Sequence, residues 1–374
     1  MVDEAGGWRV IGQRAAAWFE QPSLTASAEL VRRIAAAGPL PAVDVRPSGV
    51  RVRVALEDDT EGISALAAVP GDPAALQEMR IVFDAVDVPS VRQFWHEGFG
   101  YEGRDPFHRD PEVVVLESAE VRPLRDRFHL DVVRPEGVVE TVRAGRQPTG
   151  PWGVMLPDSE GNELDLVPGD VLAPEASDWR TLFAAMTFYP TTSAAQAVQL
   201  VTAVAELADA AGIALMLDVR AQGVLIDHGK DAWEAGGSAF LELAVQVQAA
   251  ARALGLTAEP ELLRFVQLGL AAVDVPAVKG FWISALGYAE GSDSYDPRRL
   301  NPGFIFQQSD AGETERRQQR NRIRLELDIA HDQLPARIEQ ALQAGGRIRH
   351  ELPDRCSIAD PEGNELELVA QKPL

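Results

Sequence analysis

Apolar residues recur along this chain in two styles, at every second position in short runs and at every third or fourth in longer ones, and the styles alternate in an order that is used twice. "VDVPSVRQFW" at residues 86–95 returns as "VDVPAVKGFW" at residues 273–282. The match extends without gaps over residues 83–101 and 270–288, with ten identical positions. In each copy an apolar strand leads into Val-Pro, and proline suits the first helical turn because its missing N–H has no intrahelical partner there. Val91, Phe94, Trp95 and Phe99 fall at helical spacing, as do Val278, Phe281, Trp282 and Leu286, which predicts a helix with its aromatics packed in a core. Gly100-Tyr101 and Gly287-Tyr288 supply the helix stop and the next strand.

The rest of the chain repeats as well. "PDSEGNELDLV" at residues 157–167 returns as "ADPEGNELELV" at 359–369, a turn of Asp, Gly and Asn opening into an alternating strand. "WRVIGQRAAAWF" from Trp8 resembles "WRTLFAAMTFY" from Trp179, and "VDVRPSGVRV" from Val43 resembles "LDVRAQGVLI" from Leu217. "RFHLDVV" and "RIRLELDIA" read as strands, each followed by a helical segment, "EGVVETVRAG" and "DQLPARIEQALQAGG". The chain is therefore a tandem duplication of a two-part unit, with its seam in the acidic, turn-rich stretch 167–179.

Composition narrows the partners. With 374 residues and 46% hydrophobic content, the chain can bury more than one core. Its 57 acidic residues against 35 Lys and Arg give a net charge of -22, which repels phosphate backbones and anionic headgroups, so neither nucleic acid nor membrane is expected as a partner. The start, "MVDEAGGWRV", has neither the basic nor the apolar stretch of a leader, and a cytoplasmic location is expected. The single cysteine, Cys356, allows no intramolecular disulfide and no cysteine-cluster metal site, and reads as a small strand residue.

The strand, helix, "FW" and "LGY" segment followed by "DPEGNELEL" resembles the glyoxalase-like branch of the vicinal oxygen chelate superfamily, which includes glyoxalase I, bleomycin resistance proteins and extradiol dioxygenases. The resemblance implies that residues 79–173 and 262–374 are each a complete domain of two βαβββ modules curled around a cavity. Residues 1–78 and 174–261 resemble pterin-4a-carbinolamine dehydratase domains, with a helix, a "VDVR" strand pair and a second helix such as residues 240–256. That family's dehydration uses a His-His-Pro run before the strand. Here Pro39, Leu40 and Pro41 stand in one copy and Ile213, Ala214 and Leu215 in the other, so the modules read as degenerate and the activity as lost, with His228 the one nearby imidazole. The expected fold class is α+β, a tandem duplication of a dehydratase-like module followed by a glyoxalase-like domain.

Metal-binding members of the chelate superfamily take one ligand from the first and one from the last strand of each module. Carried over, the positions in residues 79–173 are Arg80, Glu117, His129 and Asp165. His129 and Asp165 suit a divalent ion; Arg80 does not, and is expected to pair with Glu117 or Asp165. In residues 262–374 the positions are Gln267, Gln307, Glu326 and Glu367, an all-oxygen set. A shift of two residues would put Arg324 in place of Glu326, but the spacing to the following helix favours Glu326. The resemblance thus implies one divalent ion, Mn, Ni, Fe, Mg or Zn, expected at the second set, because two glutamates facing each other repel unless a cation or proton lies between them. Arg80, Arg127 and His129 are expected to receive an anionic or carbonyl-bearing small molecule in the first cavity.

Two kinds of function fit this pattern. One is a metal-dependent lyase, isomerase or dioxygenase of unassigned substrate, marked by a full ligand set. The other is a non-catalytic protein, which either binds or sequesters a small molecule or serves as a duplicated scaffold, forming a homodimer or an intramolecular pseudo-dimer.

Overall fold

The computed structural model describes residues 7–103, 105 and 107–371; residues 1–6, read above for a leader, lie outside them. The architecture is mixed α+β, and the chain divides into two compact units, each assembled from two separate pieces. Among the described residues, one takes residues 7–76 together with 168–263, and the other takes residues 77–167 together with 264–371.

In the first unit a seven-stranded run is ordered Arg9–Ile11, Arg14–Glu20, Gly49–Val54, Ala42–Arg46, Met216–Arg220, Gly223–Asp227, Ala185–Pro190. The two copies meet at its centre, where Ala42–Arg46 and Met216–Arg220 pair antiparallel with Asp44 opposite Asp218. Helices Leu24–Ala37 and Ala194–Ala211 pack on this sheet and on each other. Reciprocity explains the repeated "VDVR" and "LDVR". Arg46 Nη2 donates to Asp218 Oδ1 at 2.7 Å, Arg220 donates to Asp44, and Arg51 Nε adds a 2.6 Å bond to Asp44. Burial alone would raise the Asp44 pKa, but the Arg220 and Arg51 charges overcome it and hold the carboxyl well below its ordinary range.

The second unit corrects the linear picture of two self-contained domains. Its first sheet is ordered Glu112–Glu117, Gln77–Ala85, Ile323–Ile329, Glu365–Ala370, Arg355–Ala359, Arg347–Leu352. Its second is ordered Glu163–Val171, Phe128–Pro135, Phe265–Ala272, Gly303–Gln308, Ser294–Tyr295, Ala289–Glu290. In both, the central antiparallel pairing joins one copy to the other: Gln77–Ala85 with Ile323–Ile329, and Phe128–Pro135 with Phe265–Ala272. Each sheet is thus shared between residues 79–173 and 262–374 rather than closed within either. The physical reason is that each copy offers two strands with unsatisfied edges, and a strand edge is satisfied equally well by the matching strand of a second copy. The sheets are also mixed rather than antiparallel, since Glu112–Glu117, Gly303–Gln308 and Glu365–Ala370 each run parallel to a neighbour.

The repeated helices form as expected, at Val88–Phe99 and Val275–Leu286, with Pro in the first turn and Gly100 and Gly287 as left-handed caps. Trp95 and Trp282 are fully buried, and packing is only part of their role. Trp95 Nε1 donates to Asp158 at 2.9 Å, and Trp282 Nε1 donates to Asp360 at 3.0 Å. Those aspartates belong to the "EGNE" turns, where each also accepts from the Asn side chain and from backbone N–H groups of its own turn. Glu160 of the same turn accepts from the N–H groups of Val86 and Asp87, and Glu362 from those of Val273 and Asp274. The two most repeated motifs are therefore the two halves of one clamp. Cys356 lies buried on Arg355–Ala359, and burial pushes its thiol up to about 11, which suits a packing role. No helix among the described residues is long and apolar enough to cross a membrane.

Candidate metal centre

Because the sheets are shared, the carried-over positions regroup. His129, Asp165, Gln267 and Gln307 belong to the second sheet, and Arg80, Glu117, Glu326 and Glu367 to the first. Neither expected quartet stays together.

On the second sheet, His129 and Asp131 stand two residues apart on Phe128–Pro135 and so project from one face. Asp165 joins them from the neighbouring strand Glu163–Val171. One ligand atom from each of His129, Asp131 and Asp165 lies within 4.8 Å of the others, and His129 Nε2 is 3.7 Å from Asp131 Oδ1. Space for the imidazole comes from the opposite strand: His129 faces Gly269, and a Cβ there would fall 1.9 Å from the ring's Cε1 and 2.2 Å from its Nε2. Burial, helped by the charges of Arg125 and Arg316, lowers the His129 pKa to about 4, so the ring is neutral near pH 7 and keeps a lone pair to donate. Burial and then neighbouring Glu163 raise the Asp165 pKa to about 6, with Arg125 opposing. A neutral imidazole and two crowded carboxylates form a donor set that fits a divalent ion, whose charge would relieve the carboxylate repulsion.

His129 and Asp165 open on a cavity of about 60 Å³ lined also by Arg125, Glu163, Gln307 and the loop that carries Trp152. That space holds an ion with a few waters, well below the ~300 Å³ and more of a typical small-molecule site. Trp152 is 83% exposed between Gly150 and Gly153, both in the left-handed region, so the loop forms the mouth over which a larger ligand would extend. Gln267 shares the face of Asp131 but turns to Asp293, 2.7 Å away. Arg127 does not line the cavity as expected: its guanidinium is held by Asn321 Oδ1 at 3.0 Å and Glu362 O at 2.9 Å. Arg125, which the sequence reading passed over, takes that place beside Glu163.

The first sheet supplies the comparison. Gly269 and Val82 are equivalent in the repeated strand, and Val82 faces Arg324 where Gly269 faces His129. Arg324, not Glu326, is therefore the counterpart of His129, and Glu326 and Glu367 are the counterparts of Asp131 and Asp165. Arg324 Nη1 sits 2.5 Å from Glu326 Oε1 and 3.2 Å from Glu367 Oε2, and Arg355 adds a 3.0 Å bond to Glu367. The two glutamates do face each other with a cation between them, but that cation is a guanidinium of the chain. Arg80 pairs with Glu326 at 3.1 Å and Asp328 at 3.2 Å rather than with Glu117 or Asp165, and Glu117 is exposed at the far end of its strand. The expectation of an ion at the second set is corrected accordingly.

A family of glyoxalase-like domains matches residues 267–369. No curated protein matches the sequence. Among solved structures, a mutant of glyoxalase I from Zea mays aligns over 80% of this chain and 94% of its own at 11% identity with a TM-score of 0.38. The Zea mays glyoxalase I itself aligns over 79% and 93% at 12% identity with a TM-score of 0.36. A mutant of the fosfomycin resistance protein FosX from Listeria monocytogenes, solved with Mn(II) and a dihydroxypropylphosphonic acid, aligns over 28% of this chain and 86% of its own at 14% identity with a TM-score of 0.23. Residues 267–369 thus form a glyoxalase-like segment of this chain.

Proposed function

We propose that the second unit binds one divalent metal ion through His129, Asp131 and Asp165 and, beside it, a small molecule bearing paired oxygens. The observation that carries this reading is the contrast between two equivalent places. Where one sheet sets Arg324 between two carboxylates, the other sets a neutral imidazole beside two, cradled over Gly269. A bound divalent ion would supply Lewis acidity toward ligand oxygens. The chain's own contribution is positional: the sheet fixes the three donors, Arg125 offers positive charge at the cavity wall, and the Trp152 loop covers the apolar part of the ligand. Glyoxalase-like lyase or isomerase chemistry is the activity this arrangement would serve. The closed ion-pair network on the first sheet favours a second, narrower reading for that face alone, a structural role without chemistry.

The test is a melting series with Mn(II) and Ni(II). Either ion is expected to raise the Tm of the wild type by several degrees, and Asp165→Asn to lose most of that rise while Glu367→Gln keeps it. No rise in the wild type, or an equal rise in both variants, would reject the assignment.

A further inference from the structure

The first unit carries a cavity of about 520 Å³ between helices Leu24–Ala37 and Thr60–Ala67, at the end of strand Gly49–Val54. Its walls include Ile34, Leu40, Pro41, Val54, Ile63 and Leu66. Ile34 and Val54 are buried, while Leu40, Ile63 and Leu66 are half-buried against the core. The volume falls in the ~300–1,000 Å³ range in which small organic molecules are held.

The duplication shows why this face is open. In the second copy, strand Gly223–Asp227 passes almost directly into the 24-residue helix Lys230–Ala253. Trp179 Nε1 donates to Ala244 O deep inside that helix, and the turns before this anchor, bent at Gly236, lay Trp233 against the core. In the first copy the corresponding helix is the eight-residue Thr60–Ala67, and Trp8 Nε1 reaches Ser64 Oγ with only four helical residues before it. The turns that carry Trp233 have no counterpart here. A polar turn, Ala55 to Asp59, replaces them, and the apolar wall they would cover becomes the cavity.

That turn also fixes the charge of the mouth. Asp58 and Asp59 line the cavity, with Glu57 and Glu61 exposed on either side. Asp58 accepts from Ala55 N at 2.9 Å and Asp59 from Gly62 N at 2.9 Å, so both carboxylates are held in place by the backbone. The arginines of the adjacent helix, Arg32 and Arg33, are drawn to Glu29. An apolar wall under a carboxylate rim, on a chain of net charge -22, selects cations and disfavours anions.

We propose that this cavity is a binding site for a small cationic amphiphile, an aromatic or branched apolar body seated on Leu40, Ile63 and Leu66 with its ammonium directed to Asp58 and Asp59. The test is calorimetric titration of the full chain at pH 7 with three probes of one shape: 1-naphthylmethylamine, 1-naphthylmethanol and 1-naphthoate. The amine is expected to bind at one site, about fivefold more tightly than the alcohol, the scale two exposed carboxylates supply, and the naphthoate not to register. Asp58→Asn with Asp59→Asn retains both backbone contacts and is expected to reduce the amine to the affinity of the alcohol without changing the alcohol. Ile63→Trp is expected to fill the space and abolish both. Equal affinities for the three probes, no binding of the amine, or amine binding that survives both the double and the filling variants would overturn the proposal, and the double variant decides the matter if Ile63→Trp does not fold.

Discussion

At the scale of single residues, the glycine opposite His129 has the most pointed role. Gly269 has extended backbone, so its requirement is space rather than conformation. Gly269→Ala should push the imidazole off the sheet and remove the metal-induced rise in Tm while the apo protein keeps its fold; an undiminished rise would show that the imidazole is not a ligand. The buried indoles make a second case. Trp282→Ala should destabilise by about 3–5 kcal/mol in urea unfolding, the usual range for emptying a large aromatic site. Combining Trp282→Phe with Asp360→Asn in a double-mutant cycle should reveal a coupling of about 1–3 kcal/mol, the scale of a hydrogen bond to a buried charged acceptor. A coupling near zero would reduce Trp282 to packing alone.

At the scale of elements, the repeat made the helices, their caps and the turns legible, because these depend on residues near one another in sequence. The partners of the strands were not legible. Gln77–Ala85 and Phe265–Ala272 present the same motif, so nothing local says which later strand each will meet, and the positions Arg80 and His129 were grouped when the sheets separate them. The register of "RIRLELDIA" failed for a related reason. Two alignments differing by two residues leave the same face inward, and only the cross-strand partners Val82 and Gly269 decide between them. The hydrogen bond from Trp95 to Asp158 is not legible in the sequence, which shows two repeated islands and not the distance between them. The strand Ile323–Ile329 carries a pH-dependent term. Burial raises the Asp328 pKa to about 6, with Arg80 opposing. Between its ordinary value and about 6 the folded protein binds the extra proton, so this group's contribution is greatest in acid and is lost as pH rises through 6. The stability of Asp328→Asn relative to wild type should therefore improve by up to about 3 kcal/mol between pH 4 and pH 7.5; a flat difference in denaturant midpoints would contradict the raised pKa.

At the scale of the whole molecule, both compact units draw on both copies, and cutting the chain at the seam leaves neither with all its strands. Residues 1–167 alone keep Gln77–Ala85 and Phe128–Pro135 but lose their cross-copy partners, Ile323–Ile329 and Phe265–Ala272, which leaves one edge of each strand open. Expressed separately, the halves should be insoluble or self-associated; expressed together, they should co-purify as a one-to-one complex with the metal response of the intact chain. Two halves that fold as stable monomers would refute the interleaved pairing.

The cross-copy pairing also speaks to ancestry. A single-copy forebear could have satisfied the same strand edges only by joining a twin, and in a homodimer with twofold symmetry every change in one pocket is imposed on the other. Fusion into one polypeptide lifted that constraint. Matching places can therefore differ, with Arg324 in one sheet where the other has His129 and a 24-residue helix in one half where the other has eight residues, so that two places built on one pattern are free to take up different work.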